Sequence, residues 1–114
     1  MITVDTVRWY LKEASTLGGK EFYFTGGEPF LHPQIADIVR ETLNYGPATV
    51  LSNGTLITEA VAQRFGQISR NSKYKLEFRI SLESPIEAEN DQIRGNGSFQ
   101  RTVNGIRSLL HGGF

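Results

Sequence analysis

Three short runs in this chain set chemistry-bearing residues at the same place, directly after an apolar segment. They are Thr25-Gly26-Gly27-Glu28-Pro29, Ser52-Asn53-Gly54-Thr55 and Ser81-Leu82-Glu83-Ser84-Pro85. Together they supply hydroxyls, an amide and two carboxylates. Gly26-Gly27 lets the backbone approach a ligand closely, because no Cβ intervenes. Glu28 can bind an ammonium group, and the hydroxyls and the amide can bind a carboxylate or a ribose. Each signal also has a plainer reading. Asn53-Gly54 suits an ordinary turn, and Glu28 suits a helix cap. Arg94-Gly95-Asn96-Gly97 reads either as a flexible loop or as a segment that brings one guanidinium to a carboxylate. His32, beside a helix start, reads as a cap rather than a catalytic base, since it has no evident partner. Trp9 and Tyr10 read as packing residues. Ser-His-Asp and P-loop spacings are absent.

Alternating helices and strands must position these runs. Val4, Val7, Leu11 and Ala14 recur at helical spacing behind a Thr3 cap, with Gly18-Gly19 as the stop. EFYFT (21–25) is short, aromatic and predicted to be a buried strand. Pro33 suits the first turn of a helix carrying Ile35, Ile38, Val39 and Leu43, which should stop at Gly46-Pro47. ATVLS (48–52) is a second strand, and Thr58 caps a helix bearing Val61, Phe65 and Ile68. In KLEFRISLE (75–83), Leu76, Phe78, Ile80 and Leu82 alternate with Glu77, Arg79, Ser81 and Glu83. That polar face fits either a solvent-facing side of a sheet or the polar lumen of a barrel. After a Gly-rich loop, Ser98 caps a last helix with Phe99, Val103, Ile106 and Leu110. The expected fold is α/β, with three parallel strands alternating with four helices. Right-handed crossovers put all three strand ends at one edge, where ligands bind in such sheets.

Composition narrows the function classes. The 114 residues include 12 basic and 12 acidic side chains, two histidines and no cysteine. Zero formal charge argues against a nucleic-acid or anionic-membrane surface. No segment approaches the roughly 20 apolar residues of a membrane span. MITVDTVRW lacks a basic region followed by an apolar core, so it does not read as a secretory signal, and a cytoplasmic location is expected. At 39% hydrophobic residues the chain can build a core, but it is far shorter than the roughly 250 residues of a complete (β/α)₈ barrel. Without cysteine there is no disulfide, no thiol nucleophile and no thiolate-held zinc or iron–sulfur cluster in this chain.

In their order, KEFYFTGGEPFLHPQIADIV, ATVLSNGTLIT, FRISLESP and IRGNGSFQRTVNGIRSLL resemble the core of a radical S-adenosylmethionine (radical SAM) enzyme. GGEP is the most specific element, and the resemblance spans essentially the whole chain. It implies a partial (β/α)₆, TIM-like barrel, of which residues 1–114 supply the second to fourth strands with their helices. It also implies roles. Thr25, Gly26, Gly27 and Glu28, with Pro29 fixing the turn, match the element that binds the methionyl amino group. Ser52 and Asn53 lie near the methionyl carboxylate or ribose. Ser81 and Glu83 face the cofactor, and Arg94 is a carboxylate partner.

Family members hold a [4Fe–4S] cluster through CxxxCxxC after the first strand and cleave S-adenosylmethionine reductively to a 5′-deoxyadenosyl radical. That motif is missing here, so the expectation is a fragment that keeps cofactor-binding elements and is inactive alone, the cluster belonging to the full-length parent. The alternatives are a non-catalytic S-adenosylmethionine-binding or scaffold domain and an ordinary three-strand α/β domain. The SLES and RGNGSF style is reminiscent of members that modify peptides or proteins. The unpaired outer strands lead to a further expectation, a homodimer joined through open sheet edges.

Overall fold

A computed structural model describes residues 3–16, 21–25 and 28–114. The strands are β1 (Phe22–Phe24), β2 (Ala48–Ser52) and β3 (Leu76–Ile80). They form one parallel sheet in the order β1-β2-β3, with Phe22 opposite Ala48 and Ala48 opposite Leu76. The helices are α1 (Val4–Thr16), α2 (Ile35–Thr42), α3 (Glu59–Arg70), α4 (Glu87–Arg94) and α5 (Ser98–His111). The architecture is the expected α/β one, and it is consistent with a partial TIM-like barrel.

The apolar clusters lie on one side of the sheet. Ala36, Val39 and Leu43 of α2 and Phe65 and Ile68 of α3 bury Ala48, Val50 and Leu76. Val7 and Leu11 of α1 pack with Ile38 beside Phe22 and Phe24. Phe78 stands at the centre of an aromatic group, 4.8 Å from Phe114, 5.8 Å from Phe65 and 6.1 Å from Phe30 between ring centroids. The other face of the sheet carries Tyr23, Thr49, Leu51, Glu77 and Arg79, and its Tyr23, Glu77 and Arg79 are exposed.

Two predicted caps form as expected. Thr6 N donates to Thr3 Oγ1 at 3.2 Å, and Val61 N donates to Thr58 Oγ1 at 3.2 Å. Elsewhere the structure corrects the sequence. The expected Gly-rich loop contains α4, which makes five helices among the described residues rather than four. Ser98 does not cap α5. Gly97 does so in a left-handed conformation (φ 81°), and the Asp91 carboxylate accepts from the backbone N–H groups of Gly97 and Phe99, each at 2.9 Å. Pro33 precedes α2 in a turn, where His32 Nδ1 accepts from Gln34 N at 3.0 Å. β3 ends at Ile80, so Leu82 leaves the apolar face and is exposed. Trp9 and Tyr10 do not pack into the core. The buried stripe of α1 is Val7 and Leu11, whereas Trp9 and Tyr10 are 58% and 57% exposed and stack edge-on against each other at 5.0 Å.

Candidate functional site

The parallel sheet directs the ends of β1, β2 and β3 to one edge, and a cleft of about 310 Å³ opens there. Its lining includes Thr25, Glu28, Ser52, Asn53, Arg79 and Ser81. Five predicted site residues from three separate strand ends therefore meet. Gly26 and Gly27 lie outside the described residues. Pro29 opens a single 3₁₀ turn, Pro29–Leu31, which drives Phe30 into the aromatic group beneath.

Glu28 is the hub of the cleft. Its Oε1 accepts from Asn53 N at 2.8 Å and its Oε2 from Phe30 N at 3.1 Å, while the Ser52 hydroxyl lies 2.9 and 3.0 Å from the two oxygens. Both readings of Glu28 thus have substance: it caps the 3₁₀ turn, and it also ties the end of β1 to the end of β2. Three neutral donors on a carboxylate leave acceptor capacity for one more, which suits an ammonium group.

Asn53-Gly54 is more than a turn. Asn53 Oδ1 accepts from Thr55 N at 2.9 Å and from Thr55 Oγ1 at 2.7 Å, closing an Asx turn. Below it, the buried Thr102 of α5 donates its hydroxyl to Asn53 O at 2.8 Å. Gly54 takes φ 78°, and a Cβ on Gly105 of α5 would stand 2.1 Å from Gly54 O. Helix and turn touch backbone to backbone, which only glycine at 105 permits.

Glu83 and Arg94 do not line the cleft. They close a second network at the end of β3. Arg94 donates from Nε and an Nη to Glu83 Oε1 (3.2 and 3.0 Å), and from its Nη groups to Ser81 O at 2.9 Å and Ser81 Oγ at 3.3 Å. Within this chain the carboxylate that Arg94 meets is Glu83.

Sequence reasoning missed the polar core under this network. Asn90, fully buried, accepts from Glu83 N at 3.0 Å and donates to Ser98 Oγ at 3.1 Å. Ser98 in turn donates to Asp91 at 3.0 Å. The hydrogen bonds from Phe99 N, Gly97 N and Ser98 hold the Asp91 carboxyl below the usual carboxylate range. A signal for α4 was available: Glu87 and Glu89 in a first turn after Pro85, with Arg94 before Gly95 at the other end.

Comparison with known proteins shows the family. The family model of the radical SAM superfamily matches residues 1–114. The chain belongs to the radical SAM superfamily. Among curated relatives, an AdoMet-dependent heme synthase of Methanosarcina barkeri is 29% identical over 99% of this chain and 32% of its own length. A GTP 3',8-cyclase of Microcystis aeruginosa is 32% identical over 86% of this chain and 30% of its own. The mycofactocin maturase MftC of Mycobacterium tuberculosis is 32% identical over 78% and 22%. The chain spans about a third or less of these relatives.

Radical SAM membership implies S-adenosylmethionine and a [4Fe–4S] cluster in the whole enzyme. The cleft fits the first, with a carboxylate, hydroxyls and backbone N–H groups at one edge. The chain does not fit the second, since it has no cysteine. Among the described residues no group of three or more His, Asp or Glu is placed to hold a metal, and no helix is long and apolar enough to cross a membrane.

Proposed function

We propose that the cleft is the S-adenosylmethionine site of a radical SAM enzyme, of which residues 1–114 supply the second to fourth strands. The observation that carries this reading is the convergence of Thr25, Glu28, Ser52, Asn53 and Ser81, from three strand ends, on one cleft. In it, the segment 25–29 receives the methionyl ammonium, with Glu28 supplying the negative charge. Ser52, pinned by Glu28 and by Gly54 N at 3.0 Å, sets the position of Asn53 for the carboxylate or ribose. Ser81 presents a hydroxyl from the third strand. Arg94 acts here by fixing Ser81 and Glu83, rather than by reaching the cofactor. In the whole enzyme, a [4Fe–4S] cluster held by residues outside this chain would supply the electron for reductive cleavage of S-adenosylmethionine. The cluster ligands must come from outside this chain, so the chain alone binds the cofactor weakly and does not cleave it.

Titration of the isotope-labelled 114-residue chain with S-adenosylmethionine tests the reading. The amide signals of Thr25, Asn53 and Ser81 should shift, Ser81→Ala should weaken binding severalfold, and no 5′-deoxyadenosine should form with dithionite. Unmoved signals at millimolar cofactor overturn the site. Formation of 5′-deoxyadenosine overturns the assignment of the cluster to another segment.

The edges of the sheet support a further reading. β1 and β3 each pair on one side only among the described residues. Open strand edges recruit further strands, and in the chain by itself they are expected to join two copies. A light-scattering mass near 12.7 kDa at micromolar concentration would overturn that.

A further inference from the structure

β3 carries one charge on the open face that nothing in the described chain neutralises. Among the described residues the Arg79 side chain makes no hydrogen bond or ion pair. The other charged side chains of this region have hydrogen-bonding or ionic partners of their own, including Glu21, which accepts from the Tyr23 hydroxyl at 3.3 Å. Glu28 accepts from Phe30, Ser52 and Asn53, Arg94 holds Glu83, and Glu77 lies 3.1 Å from Lys75 Nζ. Arg79 also has a particular place. It borders both the cleft at the strand ends and a second one of about 250 Å³, further back along the same face, whose lining includes Glu21, Tyr23, Thr49, Lys75 and Glu77. Its guanidinium side chain therefore stands where the two meet.

A guanidinium in an open trough is hydrated at little cost. When a ligand fills the trough, that water leaves, and the charge must find an anion or its desolvation is uncompensated. The planar fork of arginine suits the two oxygens of a carboxylate or phosphate. Tyr23 and Thr49, which line the second cleft beside Arg79, add hydroxyl groups. The residues proposed for the methionyl group lie at the strand ends, whereas Arg79 also borders the second cleft behind them.

We propose that Arg79 is a substrate-binding residue that holds a carboxylate or phosphate group of the substrate, behind the cofactor. This rests on the reading of the strand-end cleft as the S-adenosylmethionine site. The substrate of the whole enzyme is then an oxyanion whose charged group points into the sheet face.

The experiment is a titration of the labelled 114-residue chain with three probes: glutarate, inorganic pyrophosphate and S-adenosylmethionine. The Nε–H signal of Arg79 and the amides of Thr49 and Leu51 report the site. Glutarate or pyrophosphate should move them, and the tighter of the two identifies the group as carboxylate or phosphate. Arg79→Gln should weaken that probe by about tenfold or more, the loss expected for a charge-assisted hydrogen-bonded pair. It should change S-adenosylmethionine binding less than about twofold, and Arg79→Lys should recover only part of the loss. Arg107→Gln, an exposed arginine on α5, should change nothing. Among the described residues Arg79 has no partner to lose, so its variants should melt with the parent.

Binding of neither anion, or equal binding by the Arg79 and Arg107 variants, overturns the proposal. If Arg79→Gln weakens S-adenosylmethionine as much as the anions, Arg79 serves the cofactor carboxylate; the proposal fails and the cofactor site stands. If the anions bind at Arg79 but S-adenosylmethionine does not bind at all, the cofactor reading fails and the substrate assignment falls with it.

Discussion

The two polar networks at the strand ends solve opposite problems. At the ends of β1 and β2, one carboxylate is held by neutral donors from residues 24 and 25 positions away, in a partly buried setting. At the end of β3, a cation and an anion 11 positions apart cancel each other at the surface. Glu28 therefore keeps its negative charge available to the cleft while its position is fixed. Arg94 and Glu83 are fixed at the expense of each other's charge. A site that must attract a ligand needs the first arrangement, and a turn that must only keep its shape can use the second.

The contrast is sharpest in stability. Replacing Gly105 with alanine drives a Cβ into the Gly54 carbonyl under the first network. The cost should be about 3 kcal/mol in urea unfolding, with the amide signals of Ser52 and Asn53 displaced. Removing the Ser52 hydroxyl takes a donor from Glu28 and the acceptor from Gly54 N. Unfolding should become easier by about 2 kcal/mol. Equal stability for the Ser52→Ala and parent chains would mean that the first network is no stronger than a surface pair.

The third test is by pH. Because its folded-state pKa is depressed, Asp91 contributes stability that is complete above its unfolded value, about 4, and is lost as pH falls through the lower folded value. Acid titration of the melting temperature should show a steeper fall for the parent than for Asp91→Asn, and identical slopes would refute this. The smallest effect belongs to Arg94→Gln. Its exposed ion pair should be worth less than about 1 kcal/mol, and the loss should shrink further in high salt. A loss as large as that of Ser52→Ala would erase the distinction between the networks.

What the sequence disclosed followed from local physics. The strand starts, and the caps at Thr3 and Thr58, depend on neighbours a few residues away. All three strands begin within a residue of where alternation and β-branched or aromatic residues placed them, although β3 ends early, at Ile80. Parallel topology then made the convergence of Glu28, Ser52, Asn53 and Ser81 foreseeable. Their mutual bonds were not. That Glu28 meets Ser52 depends on how two turns are docked, which no periodicity encodes. α4 escaped notice because its buried residue is polar Asn90, and Ile93 is exposed, so it lacks an apolar stripe. Trp9 and Tyr10 misled for the reverse reason: apolar type alone does not tell which side of a helix meets the core.

The latch between α5 and the β2 turn also bears on the order in which the molecule comes together. The Thr102 hydroxyl that holds Asn53 O arrives 49 positions later in the chain. Contacts of such separation form late, after the loop-closure entropy between them has been spent. A nascent chain that has completed β2 and α3 has every atom of the Ser52-Asn53 corner, yet lacks the helix that clamps it. The corner should thus be among the last parts to acquire protection from hydrogen exchange during refolding, after the Val39, Val50 and Phe65 core. Early protection of Asn53 and Gly54 amides would show that the corner is self-supporting.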